Sequence, residues 1–130
     1  MTIPTEYKDL LDKKSFGHVA TIGPKGEPQS SPVWIDFDGQ YVKFSNLKSR
    51  QKFKNLERDP RVSISLIDPD DPYRYIEIRG IAEKIEDDEG NAFINEMAKK
   101  YIDRDIYPWH KEGDERVVIF VKPLANSSMG

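Results

Sequence analysis

The sequence predicts a mainly β domain with peripheral helices, of the α+β kind, built on a six-stranded antiparallel barrel. Short stretches that alternate apolar and polar residues recur along the chain, which is the signature of half-buried strands. Turn residues separate most of them closely, so that consecutive strands return on one another. Between the strands fall a few stretches with the 3, 4, 7, 8 apolar spacing of an amphipathic helix. A barrel of this size fills its interior with its own side chains, so a ligand has to bind in an outer groove or between two copies.

Taken in order, Thr5 is placed to cap a short helix carrying Tyr7, Leu10 and Leu11 on one face. Gly17-His18-Val19-Ala20-Thr21-Ile22 alternates as the first strand, and Gly23-Pro24-Lys25-Gly26 is strong turn chemistry. Residues 29–37 read as the return strand, with Val33, Ile35 and Phe37 on one side. Asp38-Gly39 predicts a two-residue type I′ hairpin into a third strand over residues 41–45. Ser49 is a good helix cap, with Phe53 and Leu56 turned to the core, and Asp59-Pro60 ends that helix. Val62, Ile64 and Leu66 alternate with Ser63 and Ser65 in the fourth strand. Asp68-Pro69-Asp70-Asp71-Pro72 is a rigid acidic loop; it lacks the spacing and closing Glu of a calcium loop, so no metal site is assigned. Residues 73–85 form a long fifth strand with a bend at Gly80. Asp88 caps a helix that buries Phe93, Ile94, Met97, Ala98 and Tyr101. Residues 103–115 are an irregular connection, and residues 116–122 a strand with both faces covered. One domain is expected over residues 1–125, followed by a frayed tail over 126–130.

Composition narrows the function. A chain of 130 residues has room for one core, and its net charge of −3 argues against nucleic acid as a partner. Without cysteine there are no disulfides, thiol nucleophiles or Cys-based metal sites. The first residues carry no signal pattern and no apolar run reaches membrane-spanning length, so the expectation is a cytoplasmic protein without a membrane partner. The most suggestive segment is Ser49-Arg50-Gln51-Lys52, where cations crowd the start of a helix whose dipole disfavours them. An anion held between those cations and the free helix amides would resolve the conflict, while a solvated charged face is the bland alternative.

The ordered set Val19-Ala20-Thr21-Ile22, Gly26-Glu27-Pro28, Ser31-Pro32-Val33-Trp34, Arg50-Gln51-Lys52-Phe53-Lys54-Asn55-Leu56, Asp59-Pro60-Arg61-Val62, Tyr75-Ile76-Glu77-Ile78-Arg79-Gly80 and Glu115-Arg116-Val117-Val118 resembles the FMN-binding split-barrel superfamily. These are the pyridoxamine 5′-phosphate oxidase-like proteins, and the chain looks most like their coenzyme F420-dependent, deazaflavin branch. The resemblance implies a split barrel, a homodimer with the cofactor at the subunit interface, and a small organic substrate exchanging a hydride with that cofactor. It further implies that the ring lies against Ser31, Pro32, Val33 and Trp34, and that Ser45 and Asn46 line the groove. Arg50 and Lys52 would meet the phosphate, and Tyr73 of the other subunit would close the site; the hydroxyl of Ser49 suits the same phosphate, and Asn55 is counted with the cofactor-binding residues. Three charge-assisted contacts of about 1.5–3 kcal/mol each give roughly 5–9 kcal/mol gross. After binding costs this falls short of micromolar affinity, about 8 kcal/mol, so an apolar platform for the ring is also needed. No catalytic acid or base is named: His18 sits in an alternating strand, and His110 in a loop without a partner in view. Tyr107 and Trp109 could cap a substrate pocket or simply pack. The alternatives are an FMN-dependent reductase or oxidase, and a protein that binds the cofactor without turnover. The C-terminal arginine-rich motif of true pyridoxamine phosphate oxidases is missing, which argues against that reaction.

Overall fold

The structure, a computed structural model, describes residues 3–130; Met1 and Thr2, part of the segment read above for a leader, lie outside the described residues. A 3₁₀ turn at Thr5–Tyr7 leads into helix α1 (Asp9–Asp12) and then strand β1 (Phe16–Ile22). Strands β2 (Pro28–Trp34), β3 (Asp36–Phe37) and β4 (Val42–Leu47) precede helix α2 (Gln51–Arg58). Strands β5 (Arg61–Asp68) and β6 (Asp71–Asp87) form the next hairpin, followed by helix α3 (Ala92–Ile102) and strand β7 (Arg116–Met129). All neighbours are antiparallel, in the order β2-β1-β5-β6-β7-β4-β3. The sheet curls so that the end strand β2 and the next-to-last strand β4 confront each other across a cleft.

The sheet has seven strands rather than the expected six, because the predicted return strand over residues 29–37 breaks at Ile35. There the backbone leaves the ladder and α3 satisfies it: the Ile35 N–H donates to Tyr101 Oη at 2.9 Å, and the Ile35 carbonyl accepts from Lys100 Nζ at 2.7 Å. Tyr101 Oη in turn donates to the Ser15 carbonyl at 2.6 Å. Consecutive residues thus end up on opposite margins of one sheet, with the fully buried Ile35 side chain between them.

Two apolar clusters hold the fold. The barrel interior contains Leu10, Leu11, Val19, Val42, Phe44, Ile64, Ile78 and Ile119. Outside it, Phe93, Ile94, Met97 and Tyr101 of α3 pack on Val118, with Phe120 and Trp34 at the margin. Strand β7 is therefore covered on both faces, and α3 buries the five residues its periodicity marked. Gly80 sits where β6 shifts register against β7, and a side chain there would strike the Lys122 carbonyl.

Several local expectations are corrected. Thr5 and Ser49 make no capping bond: Pro4 and Arg50 occupy the cap positions, and Thr5 lies inside the first turn. The hairpin after β3 turns on Gly39-Gln40, since the Asp38 N–H bonds the Tyr41 carbonyl and the Asp38 carboxylate accepts from the Gln40 and Tyr41 amides. Only Gly39 of that pair has positive φ, the type II′ pattern rather than I′. Asp88 does cap α3, but from a distance, its two oxygens reaching the amides of Phe93 and Ile94 across an intervening 3₁₀ turn. Residues 126–129 are not frayed; β7 runs to Met129, which pairs with Tyr75. The acidic loop is an ion-pair anchor: the buried Asp68 accepts from Lys13 and Arg74, and Arg74 also grips Asp9.

Candidate functional site

Because β2 and β4 do not pair, their facing edges leave a cleft of about 430 Å³. One wall is Ser30, Ser31 and Pro32, where proline cannot donate to a neighbour in any case. The other is Ser45, Asn46 and Leu47, and the start of α2 closes one end with Arg50, Gln51 and Lys52. A smaller compartment of about 230 Å³ continues from it, sharing Pro32, Ser45, Tyr107 and Arg116. Its remaining walls are apolar: Phe16, Val33, Trp34, Ile94, Met97 and Trp109.

The cationic end carries more positive charge than its partners balance. Lys52 Nζ donates to Ser31 Oγ at 2.8 Å and stands 5.8 Å from the centre of the Phe44 ring. Burial, and then the charge of Arg50, push its pKa down to about 8. No carboxylate among the described residues shares that position, so Lys52 is a largely desolvated charge without a counter-ion there. Further along, Arg116 stacks over the Tyr107 ring at 4.6 Å, and its Nη1 donates to Ser45 Oγ at 3.3 Å. Arg116 Nε and Asn46 Nδ2 are buried donors without acceptors among the described residues. Orphaned donors of this kind are uncommon in folded proteins and mark a place where an acceptor belongs.

Behind the wall, the fully buried Asn55 donates to Thr21 Oγ1 at 3.0 Å and Gln29 Oε1 at 2.6 Å, and accepts from Gln51 Nε2 at 2.9 Å. It locks α2 against β1 and β2 and so fixes where Lys52 emerges.

Of the residues singled out from the sequence, Ser31, Pro32, Ser45, Asn46, Arg50 and Lys52 line the main cleft, and Val33 and Trp34 the apolar compartment. Asn55 supports the wall without facing the cleft, and Ser49 lies outside it. Tyr73, 82% exposed at the start of β6, stands away from both compartments of its own chain. Sequence reasoning passed over Arg116 as a site residue, as well as Gln29 and Gln51. The signal for Arg116 was available: it is a cation opening an otherwise apolar strand. Tyr107 and Trp109 do converge on the site, in edge contact with each other at 5.6 Å and flanking Trp34. Neither His18 nor His110 lines either compartment.

A family model described as pyridoxamine 5′-phosphate oxidase matches residues 3–125. Among solved structures, an F420 reductase is 38% identical with a TM-score of 0.88, the match covering 96% of this chain and 98% of that one. A conserved hypothetical protein from Mycobacterium tuberculosis is 23% identical with a TM-score of 0.73, covering 98% of this chain and 85% of its own. General stress protein 26 from Bacillus anthracis is 21% identical with a TM-score of 0.70, covering 95% and 91%. At those lower identities the likeness is one of fold alone.

Proposed function

The chain belongs to the pyridoxamine 5′-phosphate oxidase family, among the split-barrel proteins that include the F420 reductase, and from that premise we propose that it is an oxidoreductase using coenzyme F420. The observation that carries this is the unpaired, partly desolvated Lys52 beside Arg50, at the end of a cleft that turns apolar toward Trp34. A phosphorylated ring cofactor would match that polarity: the cations and free α2 amides would hold its phosphate, and its ring would reach Pro32, where the main cleft opens into the apolar compartment. The orphaned Asn46 Nδ2 offers a donor toward the middle of such a molecule. When bound, the cofactor supplies a ring that takes up or releases a hydride. The chain's own tasks are then to bind and orient: Arg50 and Lys52 hold the phosphate, Ser31 steers the Lys52 ammonium, and Asn55 keeps α2 seated. The apolar walls exclude water beside the ring. We assign no acid or base among the cleft residues.

Both compartments are open to solvent on one side, and Tyr73 is exposed, which supports a homodimer in which a second copy covers the groove and brings its own Tyr73 to it. FMN is the second reading, favoured by the family match, because a tricyclic ring with a phosphate is common to both cofactors. Titration of the purified protein with oxidised F420 and with FMN, followed by fluorescence, tests the choice. Saturable F420 binding is expected, weakened at least about tenfold in Lys52→Ala, since a charge-assisted contact is worth about 1.5–3 kcal/mol. Saturable binding of FMN without F420 would overturn the assignment, and binding of both cofactors unaffected by Lys52→Ala would overturn the site.

A further inference from the structure

We propose that the smaller compartment is the substrate site, and that it selects a planar conjugated carboxylate, its ring system against Trp34 and Trp109 and its anionic group on Arg116. The inference rests on the proposed cofactor reading for the word substrate, but its structural basis is separate. At about 230 Å³ the compartment falls below the roughly 300–1,000 Å³ of drug-sized sites, which fits a molecule of one or two fused rings. Trp34 is held rigidly for stacking, lying 5.3 Å from Tyr101 at an interplanar angle of 12°, with Tyr107 edge-on at 5.9 Å. Trp109, by contrast, is 58% exposed and tilted over the mouth, a large aromatic left half uncovered beside a cavity.

Arg116 supplies the polar end. Arg61, Arg74 and Arg79 each pair with a carboxylate. Among the described residues Arg116 has only the Ser45 hydroxyl at 3.3 Å as a side-chain acceptor, and its Nε is buried with none. The Arg116 guanidinium lies over the Tyr107 ring, 4.6 Å from its centre, which covers one side of it. A planar fork with unspent donors, desolvated on one face by an aromatic ring, matches a carboxylate in two-point contact better than it matches water. The phosphate end of the cleft does not need it: Arg50 and Lys52 line only the larger compartment, whereas Arg116 borders both.

The experiment compares naphthalene carboxylate with its neutral carboxamide on the full chain, by tryptophan quenching and calorimetry, with and without saturating oxidised F420. The carboxylate is expected to bind at least about tenfold tighter than the amide. Arg116→Gln should bring the two to parity while leaving amide affinity unchanged, and Arg116→Lys should keep part of the preference, which guards against a variant that fails to fold. Trp109→Ala should weaken both ligands alike. Equal affinity for acid and amide in the wild type would overturn the proposal, as would a preference that survives Arg116→Gln. Competition between the carboxylate and F420 would also overturn it, by giving the compartment to the cofactor ring, and would leave the cofactor assignment standing. Retained acid preference with no binding of F420 or FMN would instead overturn the cofactor assignment and uphold the anion site.

Discussion

Lys52→Met removes an ammonium half-enclosed between Ser31 Oγ and the Phe44 ring while keeping most of the side-chain volume. Burial and the neighbouring Arg50 charge hold the Lys52 pKa at about 8 against an ordinary 10.5. At 1.36 kcal/mol per pH unit the full displacement is about 3 kcal/mol, and the solvent contact the ammonium retains reduces the expected net cost to about 1–2 kcal/mol. The sign follows from where the proton sits. Below about pH 8 the folded and unfolded chains both carry it, and the folded chain bears the whole cost of enclosing a charge. Between about 8 and 10.5 the unfolded chain still holds a proton that the folded chain has released, so wild-type stability rises with pH in that window. Above it the cost is gone. The advantage of Lys52→Met in urea unfolding, taken as variant minus wild type so that other titrations cancel, should therefore fall by about 1–2 kcal/mol on going from near pH 7 to near pH 10. A phosphorylated ligand should reverse the ranking below pH 8, protecting the wild type and not the variant. A difference that is flat across the window, or that grows with pH, would refute the picture of an enclosed, unpartnered cation.

The remaining expectations concern the frame around the cleft. Tyr101→Phe strips the hydroxyl that serves the Ile35 amide and the Ser15 carbonyl, and should lower unfolding free energy by about 1–3 kcal/mol in urea while sparing the Trp34 stacking surface. Gly80→Val drives a branched side chain into the Lys122 carbonyl, and should cost about 1–3 kcal/mol or yield insoluble protein, read from the urea midpoint and the soluble yield. Asp68 is held at about 2, chiefly by the Asp70 amide and Lys13; its contribution is complete above its ordinary 3.8 and lost as pH falls toward 2. Acid unfolding of Asp68→Asn, followed by circular dichroism, should accordingly be flatter than wild type through that range.

What could be read from the chain alone was whatever depends on near neighbours. The helical stripe from Phe93 to Tyr101 and the alternation of Val62, Ile64 and Leu66 are local periodicities, and both became the expected elements. The cations at the start of α2 likewise stand out locally, because a helix start repels them. The break at Ile35 could not be read: Val33, Ile35 and Phe37 alternate smoothly, and only Lys100 and Tyr101, far along the chain, make it affordable for that backbone to leave the ladder. Residues 126–129 have the composition of a tail, and become a strand because the long β6 offers them an open edge. Arg116 was visible as a residue but not as part of the cleft wall, since that placement depends on Tyr107 and Ser45, distant in sequence. Tyr73 was carried by resemblance and Ser49 by its capping chemistry, and within one chain neither lines the cleft.

The corner at Ile35 joins the two walls of the cleft. Both jaws, β2 on one side and the β3–β4 ribbon on the other, are continuous through that single amino acid, and a rivet of two side chains from α3 pins it. Lengthening the linker there by one amino acid would break the register of both pins and move Trp34, which stacks on Tyr101 and lines the apolar compartment. The width of the cleft and the placement of its aromatic wall are thus set at one corner and change together.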